Sequence, residues 1–213
     1  MTDENPSKTP HMGADFNDAA TTASGIPYRQ IRAVYDDATI RVYQAFNHEI
    51  ADAALAAGRF VAPFSRSRMT WIKPSLRWMM YRAGWGHKDD NQRRILAIDI
   101  SREGFEWALA HSTRTRPDPA MTREQWREHL DATPVQIQWD PERDLDFRPL
   151  DHRSIQIGLG RPALLRYVEQ WTQRIEDITP LAHRLHDLVQ ARKLDEAAAL
   201  LPAERPYRAQ VEA

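Results

Sequence analysis

The stretch Ile40–Gly58, IRVYQAFNHEIADAALAAG, decides how the chain is read. Ile40, Val42 and Phe46 alternate with Arg41, Tyr43 and Ala45, which is the period of a strand with one buried face. The period then changes. Asn47 is a good N-cap, and Ile50, Ala53, Ala54 and Ala57 follow at helical spacing. Gly58 stands where a left-handed C-terminal glycine belongs. Strand, helix and turn are therefore specified within one short segment. Gln44 falls on the apolar face of that strand. A buried amide needs a partner, so Gln44 is either a satisfied structural amide or a contact to a ligand.

Working outward, Met69–Lys73 reads as a second strand, ended by Pro74, which has no N–H for a ladder. Ser75 can cap a short helix, Leu76–Ala83, stopped by Gly84. Ile95–Ile100 is a third strand, followed by a helix over Arg102–His111 that Ser101 caps. Residues 112–120 hold two prolines and read as a loop. Thr122 and Gln125 form a capping-box pair that opens another helix. Val135–Trp139 alternates, Asp140–Pro141 is expected to turn the chain, and Leu145–Leu150 is a weaker strand. Ser154–Leu159 alternates Ile155, Ile157 and Leu159 against Ser154, Gln156 and Gly158. Pro162 suits the first turn of a long helix with the stripe Leu164, Val168, Trp171, Ile175 and Ile178. Pro180 breaks it; Leu181, Leu185 and Leu188 continue on a second helix, and Leu194–Leu201 on a third.

These strands do not alternate regularly with long crossover helices, and no Gly-rich phosphate loop is present. The pattern predicts one α+β domain over residues 26–201. It would have a mixed or antiparallel sheet of about five or six strands with helices packed against it. Residues 1–25 and 202–213, polar and without apolar period, are expected to be disordered tails.

Hydrophobic residues make up 42% of the 213, enough for a sizeable core, and the net charge of -1 gives no global pull towards nucleic acid or membrane. The absence of cysteine excludes disulfides, thiolate metal sites and a cysteine nucleophile. No apolar run approaches the roughly 20 residues needed to span a bilayer, and no signal-peptide core is visible. A cytoplasmic protein without membrane partners is expected.

Charge is concentrated, however. Residues 59–94 carry Arg59, Arg66, Arg68, Lys73, Arg77, Arg82, Lys88, Arg93 and Arg94 against only Asp89 and Asp90, a surplus of seven. Phe60, Phe64, Trp71, Trp78, Tyr81 and Trp85 are interleaved. Cations bind phosphate and flat rings stack on bases, so the segment suits a nucleotide or nucleic-acid surface. The alternative is a set of core aromatics with solvated or ion-paired arginines. On a strand, Trp71 and Lys73 share a face, where a lysine beside an indole is costly unless an anion meets it or its stem snorkels out. Ser75 reads as a helix cap rather than a nucleophile, since no general base is identifiable in the sequence, and it is carried as a ligand contact. Asp140, Glu142 and Asp144 place three carboxylates in five residues, which could do acid–base work or bind Mg²⁺, but an Asp-Pro turn with a solvated rim is the plainer reading. These carboxylates have no histidine partner at ligand spacing for a zinc site, the eight histidines are scattered and read as surface, and no metal is expected.

The blocks IRAVYDDATIRVYQAF, RMTWIKPSLRWMMYRAGW, LAIDISREGFEWAL, QWDPERD, RSIQIGLG, YVEQW and IEDIT run in order from Ile31 to Thr179. Through them the sequence closely resembles the domain-of-unknown-function family 4291. That name implies relatives and no reaction. At the level of fold, the chain is also similar to ADP-ribosyltransferase-like proteins: a strand with a polar residue, a helix ending in glycine, and a late strand carrying Gln. That similarity implies NAD as cofactor, with Tyr43 or Gln44 as the first contact and the Thr70–Ser75 segment as the second. Gln156 would stand where those proteins carry a catalytic acid or amide; their usual glutamate is absent from it. The expected site thus has Gln156 and Gln44 as candidate catalytic amides. Tyr43, Arg68, Trp71, Lys73, Ser75, Arg82 and Arg153 are its candidate ligand and phosphate contacts. The expected partner is a nucleotide or a nucleic-acid end. The other readings are a non-catalytic nucleic-acid-binding module and a protein-interaction domain.

Overall fold

The structure is a computed structural model, and it describes residues 20–116 and 120–210. In chain order these form β1 (Arg32–Ala33), β2 (Thr39–Phe46), α1 (His48–Ala57), β3 (Thr70–Ile72), α2 (Leu76–Ala83) and β4 (Arg94–Ser101). Next come α3 (Arg102–Ala110), β5 (Ser112–Arg114), α4 (Arg123–Ala132), β6 (Val135–Arg143) and β7 (Pro149–Leu159). The chain finishes with α5 (Arg161–Arg166), β8 (Thr172–Asp177), α6 (Thr179–Gln190), α7 (Leu194–Leu200) and β9 (Arg205–Pro206). The expected caps form: Asn47 accepts from the Ile50 N–H, and Gly58 adopts φ 63° at the end of α1. Thr122 and Gln125 close a capping box on α4.

The fold is α+β and a single domain, as the pattern predicts, but its strands divide among three open sheets. One has the order β2-β4-β8, one β3-β7-β6-β5, and β1 pairs with β9. The two larger sheets touch at one bridge, where the Tyr43 N–H donates to the Lys73 carbonyl at 2.7 Å. Pro74 follows at once, so the pairing cannot propagate. Alternation along β2 then serves two cores. Ile40 and Val42 join one with Ile72, Ile98, Phe105 and Ile157, while Tyr43 joins the other with Leu76, Met80, Ile95 and Leu185.

Several local expectations change. The helix opened by Pro162 ends in a π-helical turn, Tyr167–Trp171, and Ile175 lies on β8 opposite Ile98. A helical stripe and an edge strand share these apolar positions, and the free edge of β4 selects the strand. The turn expected at Asp140–Pro141 moves to residues 144–148: β6 continues through Pro141 and absorbs it with a register shift before Arg143. Ser112–Arg114, expected in a loop, pairs parallel to β6. The C-terminal segment expected as a tail instead runs back over the fold, with β9 on β1 and Tyr207 buried. At the other end, residues 1–19 of the expected tail lie outside the described residues. Residues 20–25 form a turn in which Ser24 bonds Asp151 through both its N–H and its hydroxyl. No helix among the described residues is long and apolar enough to cross a membrane.

Candidate functional site

A cleft of about 590 Å³ opens where β2, β3, β6, β7 and α2 meet. β2 supplies Gln44, Ala45 and Phe46. The run Arg68–Lys73 supplies Arg68, Met69, Thr70, Trp71 and Lys73; α2 supplies Met79 and Arg82; Gln138 and Gln156 come from β6 and β7, with Gln92 at one end. Among the expected site residues, Gln44, Arg68, Trp71, Lys73, Arg82 and Gln156 are brought together here.

Gln44 is a fully partnered amide, only 3% exposed. Tyr167 Oη donates to its Oε1 at 2.7 Å, and its Nε2 donates to Thr70 Oγ1 at 2.6 Å and to the Trp71 carbonyl at 3.3 Å. Burial of an amide among hydrocarbon is tolerated because every polar atom is met. Gln44 thereby ties β2 to β3 and fixes one wall.

Trp71 lies across Gly158, its cross-strand partner. A Cβ at that glycine would stand 2.9 Å from the indole and from Met69 Sδ, so only glycine lets the ring settle on the strand. The indole stays partly exposed along the cleft.

Lys73 is 7% exposed, and its Nζ donates to the Trp71 carbonyl at 3.2 Å. No carboxylate among the described residues comes within ion-pair distance of Arg68, Lys73 or Arg82. Burial pushes the Lys73 ammonium down to about 7; the charge of Arg82 adds to the shift and that of Asp140 opposes it.

Gln156 faces Gln138 across the β6–β7 ladder. Its Nε2 donates to Gln138 Oε1 at 2.7 Å and to Asp140 Oδ2 at 2.8 Å. Its carbonyl oxygen receives no hydrogen bond from the described residues, which leaves an oriented acceptor in the cleft.

Three expected contacts lie elsewhere. Tyr43 projects from the opposite face of β2 into the second core, 1% exposed, where burial raises its pKa. It is therefore not placed to stack on a ligand in the cleft. Ser75 caps α2, accepting from the Trp78 N–H, and is buried. Arg153 points away from Gln156, because its neighbour three positions on occupies the other face of β7. It donates to Tyr28 Oη and to the Trp139 carbonyl, with its guanidinium over the Tyr28 ring.

The basic segment also sorts itself. Arg66 pairs with Glu169, Arg93 with Asp90, and Arg94 with Asp52 and Asp177. None of these partners belongs to Asp140–Asp144. Of those three carboxylates, Asp140 bonds Gln156, Glu142 is buried and accepts from the Arg143 N–H, and Asp144 caps the following turn through the Arg148 N–H.

Thr70 lines the cleft as part of the expected Thr70–Ser75 contact, and Gln138, Gln92 and Met79 line it without having been singled out. Period-two alternation already puts Gln138 and Asp140 on one face of β6. What it does not give is the register that sets them beside Gln156.

No curated protein matches the chain closely enough to establish a relationship. The family described as Domain of unknown function (DUF4291) matches residues 30–207, which takes in every strand that builds the cleft and the β9 segment through Tyr207. With its match extending over most of the 213 residues, the chain belongs to that family.

Proposed function

We propose that the cleft binds a phosphate-bearing ligand, a nucleotide or a nucleic-acid end, and supports group transfer from it. The observation that carries this reading is the gathering of Arg68, Lys73 and Arg82 at one hollow with no ion-paired acid among the described residues. Uncompensated cations in a concave, partly dry site attract an anion. Arg68 and Arg82 are exposed at the mouth and meet phosphate, and Lys73 lies buried at the floor. The half-buried indole of Trp71 offers a face to a base or to nicotinamide. Gln156 accepts from the ligand, and Gln44 holds Thr70 and the β3 backbone in place. NAD is the cofactor to assay first, in a cytoplasmic setting where nucleotides are abundant.

The test is a melting-temperature and Trp-fluorescence titration with NAD, nucleoside mono- and diphosphates and inorganic phosphate, alongside incubation with labelled NAD and total RNA or protein. The reading expects a nucleotide-dependent rise in melting temperature that Arg68→Ala and Arg82→Ala weaken. If no phosphate compound stabilises the protein, the cleft is not a phosphate site. If binding is salt-steep, tolerates Gln156→Ala and transfers no label, a non-catalytic nucleic-acid module is the better description.

A further inference from the structure

Lysine is scarce in this chain: of its 29 basic residues only Lys8, Lys73, Lys88 and Lys193 are lysines. The rest are arginine, which stays charged at every working pH, whereas a lysine amine gives up its proton once desolvated. Lys73, which lines the cleft, is also deeply buried; among the described residues it makes a single hydrogen bond, to a backbone carbonyl, and has no ion-paired acid. A site that needed only positive charge at this floor would be served by the arginine used elsewhere.

The rest of the lining narrows the ligand. Besides Gln44, whose polar atoms are all met within the protein, its amides are Gln92, Gln138 and Gln156, and Thr70 adds a hydroxyl. Amides both donate and accept, which is what hydroxyl groups of a sugar require. Gln156 presents an uncommitted carbonyl oxygen, and Gln138 uses its own carbonyl oxygen on Gln156 while its Nε2 remains free to donate. Arg68 and Arg82 at the mouth suit a terminal phosphate.

We propose that Lys73 is a nucleophilic amine that forms an imine with the aldehyde of an open-chain sugar phosphate whose phosphate rests on Arg68 and Arg82. This deepens, and rests on, the reading of the cleft as a phosphate site. The lone pair of Nζ attacks the aldehyde carbon, and the carbonyl oxygen takes a proton to give a carbinolamine. That oxygen leaves as water, carrying the two hydrogens that the amine gives up, and a C=N bond remains. Nothing is oxidised or reduced. Protons pass through solvent at the open mouth. The low proton affinity of the Lys73 amine keeps much of it unprotonated near neutrality, as attack requires.

The full chain is incubated with ribose 5-phosphate and sodium cyanoborohydride, which reduces an imine to a stable amine, and adducts are located by peptide mass spectrometry. Unphosphorylated ribose serves as the control. The expected result is a dominant adduct on Lys73, forming about tenfold or more faster than on Lys8, Lys88 or Lys193. It should be slowed in Arg82→Ala and absent in Lys73→Arg. Equal labelling of the four lysines, or equal rates with ribose and ribose 5-phosphate, would overturn the proposal. The wild-type peptide map decides even if Lys73→Arg does not fold. Stabilisation by ribose 5-phosphate that Arg68→Ala weakens, without any Lys73 adduct, removes the imine and leaves the phosphate site standing. No stabilisation by any phosphate compound removes both.

Discussion

The hydroxyl of Tyr167 donates to the side-chain oxygen of Gln44 at 2.7 Å, across 123 residues of sequence, and both groups are buried. That bond orients the amide so that its Nε2 reaches Thr70 and the β3 backbone. Tyr167→Phe leaves a buried acceptor unmet and is expected to cost about 1–3 kcal/mol. Denaturant unfolding measures it. A cost below a few tenths of a kcal/mol would mean that the amide finds another donor.

Gly158 makes room for Trp71. Gly158→Ala puts a methyl 2.9 Å from both the indole and Met69 Sδ, so the ring and the thioether must shift to admit it. The variant is expected to lose about 1–3 kcal/mol of stability and to shift the Trp fluorescence maximum towards the red as the ring is displaced. An unchanged spectrum would show that the ring accommodates the methyl in place.

The cations of the basic segment should separate by function. Arg68→Ala and Arg82→Ala are expected to weaken binding of a phosphate ligand and to flatten its salt dependence. Arg66→Ala, which removes an exposed pair with Glu169, should leave binding unchanged and alter stability by less than about 1 kcal/mol. Titrations at two salt concentrations give both quantities.

Two desolvated groups, buried Lys73 and partly buried Glu204, give opposite pH slopes. Lys73 titrates near 7 when folded against 10.5 when unfolded, so the unfolded chain binds more protons between those values and stability rises with pH across that window. Glu204, whose carboxyl accepts from the Leu76 N–H, is pushed up to about 8 by burial and secondarily by Glu142. Here the folded chain holds the extra proton between 4.5 and about 8, and stability falls as pH rises across it. The difference in melting temperature between wild type and Glu204→Gln should therefore grow from pH 5 to pH 8, in favour of the variant. Lys73→Met should remove the rise between pH 7 and pH 10. A pH-independent difference in either pair would show that the group is not desolvated.

Ser75 tests the boundary of the site. Ser75→Ala removes the α2 cap and is expected to cost about 1 kcal/mol, with ligand affinity retained. A selective loss of affinity at unchanged stability would return Ser75 to the list of contacts.

Local signals in the sequence carried much of this fold. Asn47, Ser75, Ser101 and Thr122 each cap the helix they precede, because a cap is decided by neighbours three residues away. The same locality misled at residues 172–177, where Ile175 fits a helical stripe as well as a strand. Only the open edge of β4 distinguishes the two. Pro141 read as a turn for the same reason, since a register shift that absorbs a proline is a property of two strands together.

For the cleft, the sequence alone established which residues were out of place: a glutamine on an apolar face, a lysine beside an indole, and a glutamine on a late strand. Their convergence was decided by the tertiary structure, through the Gln138–Gln156 register, the Tyr43–Lys73 bridge and the return of Tyr167 to Gln44. It also set Tyr43 and Arg153 aside, by the face each side chain takes. Composition and period depend on residues a few positions apart, whereas a hollow that gathers charge depends on which distant strands pair and in what register.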